Sequence, residues 1–326
     1  MSFTSFARRS LLAGARTRCY STAQPAAPKA NSNLPAILIG VGAASLAGYW
    51  YLDSRAAPVK TKQEKSPLDP QNFKDFKLKK VEPYNHNTAR FVFELPNNEA
   101  SLIPITSCLV VKSSDPEALK TKDGKPVIRP YTPVSESDHA GELVLLIKKY
   151  DTGVMSKHIH DLKPGDSLSM KGPIAKFPYK ANEFDQVALI GGGSGITPLY
   201  QLLTHALPDK SNKTKFKLIY ANISEDDILL RKELDDLKAK YPATFDVLYV
   251  VDKAPAGWAG GVGYVNKDLI KANVGPAELK EKVKIFICGP PGQVNAVAGK
   301  KDGMKQGAVG GVLKELGYTE DQVFKF

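Results

Sequence analysis

Three short segments hold residue types that could do chemistry together. Arg129-Pro130-Tyr131-Thr132-Pro133-Val134-Ser135 joins a guanidinium, able to neutralise a pyrophosphate, to a tyrosine two residues on. On an extended chain those two side chains point the same way, so the phenol ring can lie flat on an aromatic ring while Thr132 offers a hydroxyl to a ring nitrogen. Read as a plain strand with two prolines, the segment would be unremarkable. In Gly191-Gly192-Gly193-Ser194-Gly195-Ile196-Thr197-Pro198 an apolar strand runs into glycines and then a helix. Backbone N–H groups at such a junction can approach a phosphate at the positive end of the helix. It is not the GxGxxG fingerprint with an acid about twenty residues on, and a tight structural turn is the alternative. Cys288-Gly289-Pro290-Pro291-Gly292 follows another apolar strand, and two such loops at strand carboxyl ends of one sheet converge on one crevice.

The elements that must position these segments fall into two series. From Phe73 to Tyr179 short apolar runs are broken by turn residues: 76–81, 89–95, 108–111, 142–147 and 167–171. These read as antiparallel strands. Residues 90–95 alternate cleanly, whereas Leu143 to Ile147 is continuously apolar and is expected at the centre of its sheet. One helix is expected at 155–162. Six or so short strands with one helix suggest a small closed barrel. After Phe184 the rhythm becomes strand and helix in turn: strands at 186–190, 216–221, 246–251, 283–288 and 322–326, helices at 197–207, 228–241, 293–297 and 310–316. That alternation implies a parallel sheet with helices on both faces. The expected organisation is an antiparallel β-barrel domain over 73–179 and a parallel-sheet α/β domain over 180–326.

The chain of 326 residues carries a net charge of +11, but eight basic residues against the single acid Asp53 lie within the first 62 residues. The body is only mildly basic and has no lysine or arginine cluster interleaved with aromatics, which gives little ground for nucleic-acid binding. Cys19, Cys108 and Cys288 are too few and scattered for a disulfide framework, and no Cys/His spacing suits zinc, so no metal is expected. His86, His139, His158, His160 and His205 find no motif partners. Residues 1–22, rich in arginine, serine and alanine, read as a mitochondrial targeting segment, with a disordered basic tail as the alternative. Leu34 to Leu52 is uncharged, and as a helix would be ~28 Å long against a hydrocarbon core of ~30 Å. It reads as a transmembrane helix, with a buried soluble helix as the alternative, and 53–72 as a linker.

The three motifs, in this order, resemble the ferredoxin-reductase superfamily, whose flavin motif RxYTxxS precedes a glycine-rich motif and a CGPP motif. Within it the chain is similar to the NADH-cytochrome b5 reductases of the mitochondrial fungal type, over Phe73 to Phe326. The resemblance implies FAD and NADH as cofactors and cytochrome b5 or a similar small haem protein as partner. It places Arg129, Pro130, Tyr131, Thr132 and Ser135 at the flavin, with Tyr131 on the isoalloxazine and Thr132 near its N5. Lys148 and Tyr150 match an IKxY segment beside the nicotinamide and flavin. Gly153, Met155 and Ser156 match a GxMS loop that holds FAD phosphate. Gly191, Gly192, Gly193, Ser194, Gly195 and Thr197 form the glycine-rich loop, and Cys288, Gly289 and Pro290 flank the hydride path. Asp227 matches the AN…DILLR stretch at the adenosine end of NADH, and Phe326 fits an apolar C-terminus. Thr132, Lys148 and Cys288 are the expected catalytic residues.

There are departures: Ala100 to Val111 lacks the family's glycine and histidine, and Val154 replaces a common lysine. A nucleophilic Cys288 lacks a paired histidine, and hydride transfer needs none. Three consecutive acids, Glu225, Asp226 and Asp227, would disfavour the 2′-phosphate of NADPH, or would simply form the acidic first turn of the next helix. The expected activity is hydride transfer from NADH to FAD, then single electrons to the haem protein. A flavin reductase for quinone or iron, and a non-catalytic nucleotide-binding sensor, are the alternatives. The expected location is a single-pass anchor in the mitochondrial outer membrane, or the intermembrane space after processing, as a monomer.

Overall fold

The computed structural model describes residues 65–326, and the expected targeting segment and membrane span lie outside the described residues. Six strands make the first half: β1 (Lys74–Asn85), β2 (Thr88–Glu94), β3 (Ser107–Ser113), β4 (Arg129–Tyr131), β5 (Glu142–Lys148) and β6 (Ser167–Ala175). They pair antiparallel in the order β4-β3-β6-β1-β2-β5, with one helix, α1 (Val154–Asp161), after β5. Phe91, Phe93, Leu109, Leu143, Leu145 and Met170 fill the interior. Between the outermost strands β4 and β5 no ladder forms, and the barrel is drawn together just past β4 by one backbone bond, Val134 N–H to Val144 O at 2.9 Å. Ser135 Oγ accepts from Val144 N–H at 3.1 Å beside it.

The continuous apolar run of β5 therefore belongs to the end of the sheet order, not its centre. Its outer face is covered by the second half: Leu146 clusters with Leu199, Leu202 and Leu203. Val92 on the neighbouring strand is buried as well, so the alternation of 90–95 is weaker in burial than in sequence.

The second half is a six-stranded parallel sheet in the order β10-β9-β8-β7-β11-β12. Its strands are β7 (Gln186–Gly192), β8 (Lys215–Ser224), β9 (Phe245–Lys253), β10 (Gly261–Val262), β11 (Val283–Cys288) and β12 (Val323–Lys325). The helices are α2 (Ile196–Ala206), α3 (Arg231–Lys240), α4 (Lys267–Asn273), α5 (Pro291–Ala298) and α6 (Gly311–Glu315). Separate apolar clusters cover the two faces, one built on Leu189, Leu218 and Phe286, the other on Ile190, Ile219 and Ile285. That division follows from alternate residues of each strand pointing to opposite faces. The chain order runs outward from β7 in both directions, so the topological switch lies between β7 and β11, which pair from Val283↔Gln186 to Cys288↔Gly191.

The expected helix at 228–241 begins later. Glu225–Asp227 is a separate 3₁₀ turn, Leu230 takes a left-handed φ of 57°, and the α-helix starts at Arg231. The three acids are thus not its first turn. The strand at 322–326 is shorter than expected, and β4, β10 and α4 are additional.

Both halves form one compact unit. Gln201 of α2 pairs with the backbone of Ser107, accepting from its N–H at 3.1 Å and donating to its carbonyl at 3.0 Å. Arg90 of β2 pairs with Glu233 of α3 and lies 5.2 Å from the ring centre of Tyr84, whose hydroxyl accepts from Leu230 N–H at 2.8 Å.

Candidate active site

Beyond the carboxyl ends of β7 and β11 the two halves enclose a cavity of about 620 Å³, a volume usual for a small-molecule site. The barrel contributes Pro130, Tyr131 and Thr132 from the end of β4, Lys148 from the end of β5, and Tyr150 and Ser156 from the turn into α1. Facing them are Ser194, Gly195 and Thr197 at the start of α2, and Cys288, Gly289 and Pro290 after β11, with Phe326 at the chain end. Three motifs separated by up to about 160 positions of sequence are brought to one wall-to-wall site.

Close backbone approach makes that geometry. A Cβ on Gly195 would meet the Cys288 carbonyl, and one on Gly192 would meet Gln293 and Pro290, so neither position tolerates a side chain without displacing backbone or ring atoms. Gly193, with φ 49°, turns the chain from strand to helix, and its carbonyl accepts from the buried Tyr220 hydroxyl at 2.9 Å. Gln293 of α5 donates to Gly191 O at 3.1 Å, fastening the two loops to each other.

Two polar contacts span the halves at the cavity. The Tyr150 hydroxyl lies 2.6 Å from Ser194 Oγ. Lys148 Nζ lies 2.8 Å from Asp227 Oδ1, both side chains being largely buried at 12% and 9% exposure. Ser224 Oγ donates to the other carboxylate oxygen at 2.7 Å. Burial pushes the Asp227 carboxyl up, but Lys148 and Ser224 outweigh it and hold the group below its ordinary range. His86 approaches the same carboxylate at 3.6 Å.

The remaining anticipated residues have other surroundings. Arg129 is exposed on β4, its guanidinium bonded to the neighbouring Ile128 carbonyl at 2.8 Å. Ser135 holds the barrel seam. Gly153 is the residue before α1, and its carbonyl accepts from Ser156 Oγ at 3.0 Å; Met155 is buried in the barrel interior. Gly191, Gly192 and Gly193 do not line the cavity, and Asp227 meets the site through Lys148.

Residues not anticipated also line it, among them Thr106, Ser107 and Cys108 of the β3 approach and the lysines Lys176 and Lys301. No motif marks them. For the first three the only signal is the apolar run that makes β3, which is the end of the barrel nearest α2.

The residues present fit a flavin. Tyr131 offers a flat face that burial keeps protonated, with its phenol pushed up to about 12. Ser107 Oγ is buried on the cavity wall with no hydrogen-bond partner among the described residues, a polar atom left for a bound molecule. The Gly153–Ser156 turn and the Gly193–Gly195 turn each open a helix toward the cavity, where dinucleotide phosphates would meet backbone N–H groups.

Comparison with known proteins agrees with this construction. Residues 75–179 match the oxidoreductase FAD-binding domain family and residues 189–299 the oxidoreductase NAD-binding domain family. The protein is thus a two-domain flavin- and pyridine-nucleotide-dependent oxidoreductase of the ferredoxin-reductase type. It is 44% identical over 322 residues to NADH-cytochrome b5 reductase 2 of Coccidioides immitis (strain RS), covering 96% of each chain. It is 45% identical over 314 residues to the protein of that name from Mycosarcoma maydis, covering 90% of this chain and 89% of that one. The chain belongs to the NADH-cytochrome b5 reductase family. Among solved structures, the cytochrome b5 reductase domain of Ulva prolifera nitrate reductase superposes with a TM-score of 0.68 at 25% identity, covering 81% of this chain and all of that one. The CS-b5R domains of human Ncb5or, in an NAD+ form, give a TM-score of 0.61 at 27% identity over 78% of this chain and 69% of that one.

Burial pushes the Cys288 thiol up to about 12, which leaves almost no thiolate at neutral pH and removes it as a nucleophile. Iodoacetamide at pH 8 should therefore alkylate Cys288 in the folded protein at least ~100-fold more slowly than a free cysteine of pKa ~8.5. Peptide mapping by mass spectrometry reads this directly, and rapid modification would show an accessible thiolate.

Proposed function

We propose that the protein takes a hydride from NADH onto FAD held in the barrel half and passes single electrons to cytochrome b5. The observation that carries this is the facing of Tyr131 and Thr132 by Thr197, Cys288 and Pro290 across one cavity. A site that only bound nucleotides would have no use for two flat rings in contact. When bound, the flavin supplies the change from paired to single electrons that separates a nicotinamide donor from a haem acceptor. The chain's own residues position and exclude. Tyr131 would offer its ring as a platform for the flavin, Thr132 would lend a hydroxyl to hold it, and Cys288 and Pro290 would limit where the nicotinamide can lie. Thr197, 8% exposed at the first turn of α2, faces the same gap.

The same reading extends to the first 64 residues: a mitochondrial targeting segment over 1–22 and a single-pass anchor over 34–52, directed to the outer membrane. Its support is the arginine-rich opening, the uncharged run that follows, and a match to the Coccidioides immitis relative covering 96% of the chain and so reaching into that segment. No helix among the described residues is long and apolar enough to cross a membrane.

Purified protein should be yellow, and stoichiometric NADH without oxygen should bleach it within the dead time of manual mixing. Turnover with cytochrome b5 should exceed turnover with quinones at equal concentration. A colourless protein, or one bleached only by NADPH, contradicts the reading, and faster turnover with quinone would mark a diaphorase.

Asp227 makes a second prediction. Its carboxylate should disfavour the 2′-phosphate of NADPH, so Asp227→Thr should raise kcat/KM for NADPH relative to NADH. Because it also removes the partner of a largely buried lysine, the substitution should lower stability by about 3 kcal/mol at pH 7 in urea unfolding. The folded carboxyl is held below its ordinary value, so the pair stabilises above an unfolded pKa of ~3.9 and is lost as pH falls through the folded one. The difference between variant and wild type should accordingly shrink toward acid. An unchanged cofactor ratio with reduced stability would leave Asp227 as a clasp between the halves alone.

A further inference from the structure

Lys325 of β12 belongs to no motif and to no step described above. It is 1% exposed, and its ammonium points into a ring of backbone carbonyls: Ala298 at 3.3 Å, Gly299 at 3.4 Å, Lys300 at 3.4 Å, Gly307 at 3.5 Å and Ala308 at 2.9 Å. A ring of carbonyls is the arrangement that replaces the water around a cation, and in a dry site such oxygens are unfavourable unless a positive donor stands among them. Ala298 is also the final residue of α5, where carbonyls lack helix partners and carry the negative end of the dipole. Gln306 ties the same segment to the Lys325 backbone, donating to its carbonyl at 3.0 Å and accepting from its N–H at 2.6 Å.

The ammonium thereby joins three pieces of the cavity's surroundings. It closes the segment 299–308, which borders the cavity through Lys301 and Met304. It holds the far end of α5, whose near end follows directly on Cys288, Gly289 and Pro290. It also fixes β12, where Lys325 is in register with Ile287, the residue before Cys288, and where Phe326 lines the cavity and donates its N–H to Ile287 O at 2.9 Å. The neck of the loop is backbone against backbone, since a Cβ on Gly307 would meet the Lys300 carbonyl and one on Gly299 the backbone of Gly310. All of these elements lie in the α/β half, whereas Tyr131, Thr132 and Ser156 come from the barrel.

We infer that Lys325 is a positioning residue for NADH: its ammonium, held by five carbonyls, fixes the 299–308 loop, the end of α5 and Phe326 as the outer wall of the nicotinamide side. The inference rests on the functional reading above and names what shapes the pocket for the reductant. The gap for hydride transfer is set separately, by Gly195 against Cys288. Loss of the ammonium should therefore loosen the wall and leave the gap as it is, so that NADH binds less well and, once bound, reacts as before.

Lys325→Met keeps the hydrocarbon stem and removes the charge. In the FAD-loaded protein with ferricyanide as acceptor, KM for NADH should rise roughly 10-fold while kcat stays within about 2-fold of wild type. Flavin content, the visible spectrum of the flavin and KM for ferricyanide should stay at wild-type values. Trypsin under native conditions should cut after Lys300, Lys301 or Lys305 at least ~10-fold faster than in the wild type, because the loop opens locally. Gln306→Ala leaves the ammonium in place and frees the loop from the β12 backbone; it should raise KM for NADH about 2- to 3-fold, and it decides the matter if Lys325→Met does not fold. An unchanged KM for NADH, with a lowered Tm or faster cleavage, would overturn the inference, since the lysine would then be a brace without bearing on NADH. Loss of flavin, or a rise confined to KM for ferricyanide, would overturn it as well, by placing the loop at the flavin or at the acceptor. A wild type whose flavin is not reduced by NADH would overturn the functional reading, whereas normal reduction in the wild type beside variants of unchanged KM overturns the inference alone.

Discussion

The site depends on two chain segments approaching more closely than side chains permit. Gly195 lies against the Cys288 carbonyl, and Gly192 against Gln293 and Pro290, so the ends of β7 and β11 lie nearly backbone to backbone at the topological switch of the sheet. That contact fixes where α2 begins, and with it Ser194 and Thr197. It also fixes where Cys288 and Pro290 stand. The barrel is then referred to the same point by Tyr150 on Ser194 and by Gln201 on the Ser107 backbone. Two rings stacked between the halves need their separation set to a few tenths of an ångström, and a backbone contact with no rotamers has less freedom than any side-chain contact could offer.

Much of the fold was legible because the two halves follow different hydrophobic rhythms. Five of the six strand positions in the barrel and the alternation of strand and helix after Phe184 follow from apolar runs and turn residues alone. The misreadings have physical causes. A continuously apolar β5 suggests a central strand, yet it is an outer strand whose exposed face is covered by α2 through Leu146; sequence periodicity reports burial and cannot say whether strand or helix does the covering. The helix expected from Ile228 gives way to a 3₁₀ turn and a left-handed Leu230, because Asp227 is drawn to Lys148 and Leu230 N–H to the Tyr84 hydroxyl. Both partners lie in the other half, 79 and 146 positions away. No local signal encodes them.

For the site, the motif residues Tyr131, Thr132, Lys148, Tyr150, Ser156, Thr197 and Cys288 do meet at one cavity. Their types were informative because each suits one atom group of a dinucleotide. Arg129, expected as the counter-charge to a pyrophosphate, lies exposed on β4, bonded to its own neighbour. Ser107, Cys108, Lys176 and Lys301 were invisible for the converse reason: a serine, a cysteine and two lysines in ordinary contexts gain meaning only when the fold sets them around one space. The acidic run shows both limits, since Asp227 is neutralised by Lys148 and Glu225 is paired with Arg231, leaving Asp226 exposed.

The central claim is that the glycine contact between the β7 and β11 loops sets the gap across which the hydride passes. Gly195→Ala tests it in anaerobic stopped-flow reduction of the bound flavin by NADH. The added methyl must push Cys288 and Gly289 away from α2, so flavin should still be retained by the barrel while its reduction by NADH slows by about 100-fold or more. Reduction at the wild-type rate, in a variant with full flavin content, would contradict the account.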